Sequence, residues 1–308
     1  MSPHENTGPT VAFDPLPDEC LVDLPLAIRL RGASPGEGVT LSLFNRLPGT
    51  LMRSVARFVA DPDGTVDLTR DAPLVGAYTG VDPMGLFWSR APVPDGPEAV
   101  PVAPSDDPFT VTLVATSDDN RVLARHAIHR VFLGPGVRRT SFDAPGRVGL
   151  LFEPASPGPN PAVLVVGGSD GGLAWSREVA GLLASHGFVA LALAYFGAEG
   201  LPATLDRIPL EYFDAALDTL AALPSTDADR VGVFGASRGG ELALLLGARC
   251  PRLRAVAAFM PSGVVWPAYP ATGYSAWTAE GRDWPCTRAT SYEACLAEPD
   301  GEREGEVP

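Results

Sequence analysis

The residues Gly235-Ala-Ser237-Arg-Gly239 match the pattern G-x-S-x-G. They follow the apolar run Arg230-Val-Gly-Val-Phe234 and open a helical pattern from Arg238 to Ala248. In that context the pattern predicts a sharp strand-to-helix turn that holds Ser237 in a strained backbone, with small residues two positions to either side. The hydroxyl then projects at the carboxyl end of a sheet, where the following helix adds positive potential. The backbone N–H of Arg238 is placed to donate to a developing oxyanion. Such an arrangement performs nucleophilic acyl transfer through a covalent intermediate. The competing reading is a strand-to-helix turn with no chemistry, since Gly, Ala and Ser are common in this chain.

A second candidate is Gly167-Gly-Ser-Asp-Gly-Gly172, directly after the apolar run Pro161–Val166. Its spacing is not the G-x-G-x-x-G of a dinucleotide site. A glycine-rich loop at this position is where a nucleophile-elbow enzyme places its second oxyanion donor. The Ser169 N–H is the first candidate and the Asp170 N–H the second; the competing reading is a flexible loop before a helix.

A serine hydroxyl at its ordinary pKa is a poor nucleophile and needs a base. Elbow enzymes carry their triad in the order Ser, acid, His. The histidines here are His4, His126, His129 and His186, and none follows Ser237. His186 lies between an expected helix and an expected strand, at the end of the sheet opposite the elbow, and reads as a loop residue. His126 and His129 fall in a β-rich region, where edge or surface positions are expected.

The scaffold for these residues changes character along the chain. Up to about residue 136, short apolar runs alternate with turn clusters: Leu24–Leu30, Val39–Phe44, Val111–Ala115 and His129–Leu133, separated by Pro35–Gly38, Asp61–Gly64 and Ser117–Asn120. Many short β-runs with turns between them predict a sandwich. The Pro-rich stretch 91–108 reads as an exposed loop of that domain. From about residue 148, continuous apolar strands alternate with helices: strands at Pro161–Val166, Val189–Ala194, Arg230–Phe234 and Ala255–Met260, and helices at Leu173–Ser185, Ile208–Leu223 and Arg238–Ala248. A further strand is expected at Gly149–Phe152. Alternation of this kind predicts a parallel sheet covered on both faces. The expected domains are 13–140 and 141–281, with an irregular acidic tail at 282–308. Glu298–Glu306 in that tail carries five acids against one Arg.

Composition narrows the chemistry. The chain has 308 residues, 45% apolar and 19% charged, with 33 Gly and 32 Pro, and a formal charge of −14. An acidic surface repels phosphate backbones, so no nucleic acid is expected as a partner; a small anionic substrate needs only a local basic pocket. All 23 basic residues are Arg. Lysine-dependent Walker loops, Schiff bases and kinase phosphate contacts are therefore excluded. No apolar run of about 18 residues exists, so no membrane span is expected. The start, MSPHENTG, does not read as a signal peptide. Four Cys without metal spacing point to free thiols, a cytoplasmic location, and no metal or cofactor.

The same residues resemble the acyl-CoA thioesterases related to the bile acid-CoA:amino acid N-acyltransferases. The resemblance runs over roughly residues 15–281. In the first domain it is carried by Gly32–Gly36, Asp67–Pro73 and, most specifically, Gly80-Val-Asp-Pro-Met-Gly-Leu-Phe-Trp-Ser89. In the second it is carried by Gly171–Leu173, His186-Gly-Phe-Val-Ala-Leu-Ala-Leu-Ala-Tyr-Phe196, Leu210–Phe213, Gly235-Ala-Ser-Arg-Gly-Gly-Glu-Leu-Ala243 and Ser275-Ala-Trp-Thr278. It implies an immunoglobulin-like β-sandwich followed by an α/β-hydrolase domain. It also implies an acyl-CoA substrate attacked by the elbow residue, here Ser237, and release of the acyl group to water or to an amino acid. Ser rather than Cys at the elbow is similar to the thioesterase members. The alternatives are an N-acyltransferase, a catalytically inactive remnant or acyl-binding module, and a dienelactone-type carboxylesterase, which the first domain and Gly80–Ser89 weigh against. The missing His and the absence of strand patterns after residue 281 lead to the expectation that the hydrolase domain lacks its last strands through C-terminal truncation. It would then expose an aggregation-prone edge.

Overall fold

The computed structural model describes residues 10–93, 107, 109–142 and 144–287. The chain divides into two compact units, Met1–Val131 and Phe132–Pro308.

The first unit is a two-sheet sandwich. The strands Gly38–Leu47 and Thr50–Val59 form a hairpin that turns at Pro48-Gly49, where Gly49 takes a positive φ of 73°. A glycine takes that conformation without the clash a Cβ would bring. The larger sheet runs Glu19–Leu21, Val122–Val131, Thr110–Ser117, Gly38–Leu47, Thr50–Val59, Val75–Gly76, with Ala91–Pro92 also on the hairpin. The smaller sheet holds Ala12–Phe13, Arg29–Arg31 and Val66–Asp67. Alternate residues of both point inward, so Leu41, Leu43, Leu113 and Ile128 pack with Ile28, Leu30 and Val66 in one core. The expected strand Leu24–Leu30 shrinks to Arg29–Arg31: Pro25 has no N–H to give to a ladder, and the Leu26 N–H turns instead to Met84 Sδ at 3.4 Å.

The Asp67 carboxylate ties the smaller sheet together. It accepts from the Arg29 guanidinium at 2.6 Å and from the Thr69 hydroxyl at 2.7 Å. Burial pushes this carboxyl up, but the bonds from Thr69 and Arg29 outweigh it and leave it below the usual 3.8. A depressed carboxyl stabilises the fold above its unfolded pKa and loses that contribution as pH falls through the folded value. Asp67→Asn should therefore destabilise the protein at pH 7, and the gap from wild type should close below pH 4 in chemical denaturation followed by circular dichroism.

The second unit is a six-stranded sheet in the order Arg138–Ser141, Val148–Glu153, Val189–Ala194, Asn160–Val166, Thr226–Ala236, Ala255–Phe259. The first two pairings are antiparallel and the rest parallel. Residues 189–194, Val-Ala-Leu-Ala-Leu-Ala, are buried on both faces. Leu164, Val166, Leu191 and Leu193 pack on one side with Phe213, Leu217, Leu242 and Leu246 of the helices Glu211–Ala221 and Arg238–Arg249. Ala190, Ala192 and Val165 pack on the other with Ala180 and Ala184 of the helix Ala174–Ser185. Helices on both faces are what such a continuous apolar strand requires.

Several sequence expectations shift. The division falls at 131/132 rather than 140/141, because Arg138–Ser141 pairs antiparallel with Leu150–Glu153. The expected helix Ile208–Leu223 begins with the strand Ile208–Pro209, which pairs with Trp277–Thr278. Tail residues Arg282–Asp283 also join that small sheet. Most of the Pro-rich stretch and the acidic run lie outside the described residues, as do His4 and Cys295.

Among the described residues the main sheet ends at Ala255–Phe259. That strand is uncharged, and Val256 and Phe259 are 40% and 55% exposed. Natural edges are protected by charge or proline. Ala257→Lys, which puts a charge on this exposed edge, should raise the aggregation onset temperature in static light scattering without lowering Tm.

Candidate active site

The strand Thr226–Ala236 delivers the chain to Ser237, and the helix Arg238–Arg249 leaves it immediately. Ser237 has φ 53° and ψ −118°, a conformation non-glycine residues seldom hold. Such a residue costs on the order of 1–3 kcal/mol and persists only where its surroundings enforce it. Two bonds do so: the Ser237 N–H donates to the Phe259 carbonyl at 2.9 Å, and the Ser237 carbonyl accepts from the Glu241 N–H at 3.0 Å. Close approach accounts for the flanking glycines. A Cβ at 235 would overlap the Gly239 carbonyl, and one at 239 would overlap the carbonyls of Val166 and Gly167. Ser237 is exposed, and among the described residues its Oγ has no hydrogen-bond partner.

The glycine-rich loop faces the elbow. A Cβ on Gly168 would lie 3.2 Å from Ser237 Cβ and 3.7 Å from Ser237 Oγ. Tyr195 Oη donates to the Gly167 carbonyl at 2.7 Å, the Gly171 N–H to Gly168 at 3.3 Å and the Gly172 N–H to Phe196 at 2.9 Å. Ser169 and Asp170 fill the middle of this turn, Ser169 half-buried and Asp170 exposed. No hydrogen bond among the described residues uses the backbone N–H of Ser169, Asp170 or Arg238. The first helical amides have no partner within their helix and point toward the elbow.

Beside Ser237 lies a cavity of about 360 Å³ lined by Ser237, Arg238, Glu241, the segment Met260–Val264 and Trp266. Two charged side chains under it are withdrawn from water. Glu241 is 3% exposed and meets Arg238 at 3.2 Å. Burial pulls the Arg238 guanidinium down, against the opposing pull of Glu241. Burial pushes the Glu241 carboxyl up despite Arg238 and the bonds from Trp277 and Trp266.

The histidines are placed elsewhere in the described structure. His186 caps the end of the helix Ala174–Ser185 just before Val189, and Val189 is level with Ala162 and so with Val231. It therefore sits at the amino end of the parallel strands, opposite the elbow. In the first unit His129 Nδ1 meets Asp107 at 2.8 Å, and His126 Nε2 lies 3.2 Å from the Pro17 carbonyl. No histidine is among the described residues lining the cavity. Among the described residues no group of three His, Cys, Asp or Glu is placed to hold a metal ion.

Sequence reasoning brought Ser237, Arg238 and the Gly167–Gly172 loop together but passed over Glu241, Tyr195 and Trp277. A signal existed for each. Glu241 is the one acid in the helix Arg238–Arg249, one helical turn from Ser237. Tyr195 and Trp277 lie inside segments that carried the resemblance.

Residues 23–143 match the model of the acyl-CoA thioester hydrolase/BAAT N-terminal region, and residues 208–270 match that of the BAAT/acyl-CoA thioester hydrolase C terminal. Acyl-coenzyme A thioesterase 5 of Mus musculus is 40% identical over 243 residues, covering 77% of this chain and 56% of the relative. Acyl-coenzyme A thioesterase 1 of Homo sapiens is 41% identical over 233 residues, covering 73% and 54%. The chain thus spans about half the length of the curated relatives it matches. Solved structures similar to it include 2,6-dihydroxy-pseudo-oxynicotine hydrolase, with 29% identity, TM-score 0.33, and coverage of 40% of this chain and 36% of that one. Another is a dienelactone hydrolase of Klebsiella pneumoniae, described as putative, with 24% identity, TM-score 0.37, and coverage of 41% and 60%.

Proposed function

Because this chain belongs to the acyl-CoA thioester hydrolase/BAAT family, we propose that it is an acyl-CoA thioesterase with Ser237 as its nucleophile. The single observation that carries the reading is the exposed Ser237 on its strained turn, with Gly168 against it and a cavity open beside it. Ser237 Oγ attacks the thioester carbonyl, and the Arg238 and Ser169 amides, or that of Asp170, take the charge that develops on oxygen. The C–S bond breaks and coenzyme A leaves as its thiol. A thiol ionises near pH 8.5, so it leaves with less help from an acid than an amine or alcohol would. Water then cleaves the acyl-enzyme and restores the serine. The substrate is a fatty acyl-CoA; nucleic acid is not a partner of this acidic chain. No helix among the described residues is long and apolar enough to cross a membrane. Cys20, Cys250 and Cys286 are free, which supports a reducing, cytoplasmic setting.

A second reading has one observation in its favour. No histidine is among the described residues that line the Ser237 cavity, where one would take the Ser237 proton. A chain that holds the acyl group without turning it over would look the same. Thiol release from a long-chain acyl-CoA, run beside fluorophosphonate labelling, separates the two. Turnover with labelling at Ser237 is expected for the thioesterase. Acyl-CoA binding with neither turnover nor labelling would replace it with the acyl-holding module.

A further inference from the structure

Two segments near Ser237, the glycine-rich loop and the cavity wall at Met260–Trp266, are tied to one buried carboxylate. Glu241 Oε1 accepts from Trp277 Nε1 at 2.7 Å. Trp277 is fully buried against Tyr195, at 5.7 Å between ring centroids, and Phe213, at 6.1 Å. Tyr195 in turn donates to the Gly167 carbonyl, so this side of the carboxylate supports the glycine-rich loop. Glu241 Oε2 faces the cavity wall, accepting from the Trp266 N–H at 3.3 Å and pairing with Arg238 Nη1 at 3.2 Å. Arg238 Nη2 reaches the same segment, donating to the carbonyls of Trp266 at 3.1 Å and Pro267 at 3.0 Å. The segment closes on itself through Trp266 Nε1 to Ser262 Oγ at 2.7 Å.

Stability does not explain why a charge sits here. A buried ion pair gains little once both ions have been taken out of water, and an apolar pair of the same shape often does as well. The Glu241 carboxyl is net penalised by its burial. What the pair does supply is geometry, because a carboxylate with two oriented oxygens holds two elements at a fixed separation. The orientation of Arg238 has a second consequence. Both of its terminal nitrogens are engaged with Glu241, Trp266 and Pro267, and its Nε is buried without a partner. Among the described residues lining the cavity, Arg238 is the only Arg, Lys or His.

We propose that Glu241 is the positioning residue of the Ser237 cavity, with Arg238 as its strut. Together they fix the Met260–Pro267 wall relative to the glycine-rich loop, leaving space for an uncharged acyl group and offering no receptor for phosphate. The identity of that group as an acyl thioester rests on the function proposed above; the positioning role does not. The side chain of Arg238 is thus structural, while its backbone N–H remains at the oxyanion position.

The test has two arms. In the first, amide hydrogen exchange is followed by mass spectrometry in wild type and Glu241→Gln. Exchange across residues 260–268 should speed up by about tenfold or more in the variant, with the strand Thr226–Ala236 and the helix Arg238–Arg249 unchanged. Unchanged exchange at 260–268, or a uniform rise over the whole second unit, would overturn the positioning role. In the second arm, octanoyl-CoA and octanoyl-pantetheine, which lacks the phosphates, are titrated calorimetrically into Ser237→Ala, with and without Arg238→Met. Arg238→Met should weaken both ligands by a common factor, within about twofold. A selective loss of octanoyl-CoA of about tenfold or more would make Arg238 a phosphate receptor and overturn the proposal. If neither ligand binds, the acyl thioester reading fails while the exchange result still decides the role of Glu241.

Discussion

Ser237→Ala is expected to remove thioester cleavage while leaving the fold in place. The substitution takes away one exposed oxygen that has no hydrogen-bond partner among the described residues, so no buried group is orphaned. The two backbone bonds that enforce the turn, Ser237 N–H to Phe259 and Glu241 N–H to Ser237, involve main-chain atoms alone. Alanine shares the strain of a positive φ with serine, so stability should move by less than about 1 kcal/mol. Activity should fall by about a thousandfold or more, because loss of the attacking atom leaves only substrate binding and oxyanion stabilisation. Thiol release from octanoyl-CoA reports the first effect and thermal unfolding the second. A variant that keeps a tenth of wild-type turnover would remove Ser237 from the mechanism.

Gly239→Ala should produce a large loss of stability in the second unit. The new methyl would overlap the carbonyl oxygens of Val166 and Gly167, and both belong to backbone that cannot retreat. Val166 is paired in register with Gly235 of the elbow strand and with Leu193 on its other side. Gly167 is held by Tyr195. Any movement that relieves the overlap therefore breaks sheet or loop bonds. A loss of about 3 kcal/mol or more follows, toward the upper end of overpacking effects. In a chain of this size that is a fall in Tm of about 6 °C or more. Gly263→Ala is the control: it lines the same cavity, and a Cβ there meets nothing within 4 Å. It should unfold within about 1 °C of wild type, so a similar fall in both variants would show that the close approach at 239 is not the cause.

The parts of this molecule that were legible in its sequence are those set by neighbours along the chain. The elbow is one, because Gly235, Ser237 and Gly239 meet the demands of a single turn. The strand Val189–Ala194 is another, since only burial on both faces tolerates six consecutive apolar residues. Arg138–Ser141 escaped notice because it is an outer strand with polar, largely exposed side chains and no alternation to betray it. Ile208–Pro209 was absorbed into the following helix because its partner, Trp277–Thr278, is remote in the sequence. Glu241 was passed over for the same reason. Its meaning depends on Trp266 and Trp277, which come 25 and 36 residues later, and on Arg238 turning inward rather than toward solvent. Periodicity reports which face of a helix is buried, but not which polar partners wait there.

With Ser237 as the nucleophile, the acyl group of the thioester is transferred to the Ser237 oxygen, and the chain's own sequence makes this easy to observe. Trypsin cleaves after Arg230 and Arg238, releasing Val231–Arg238 with Ser237 as its only hydroxyl-bearing residue. The protein is mixed with octanoyl-CoA, quenched in acid within the first turnover, digested and examined by mass spectrometry. An octanoyl ester on Val231–Arg238 is the expected result. Release of free coenzyme A thiol with that peptide unmodified, or no adduct on it under any condition of acyl-CoA excess, would contradict it.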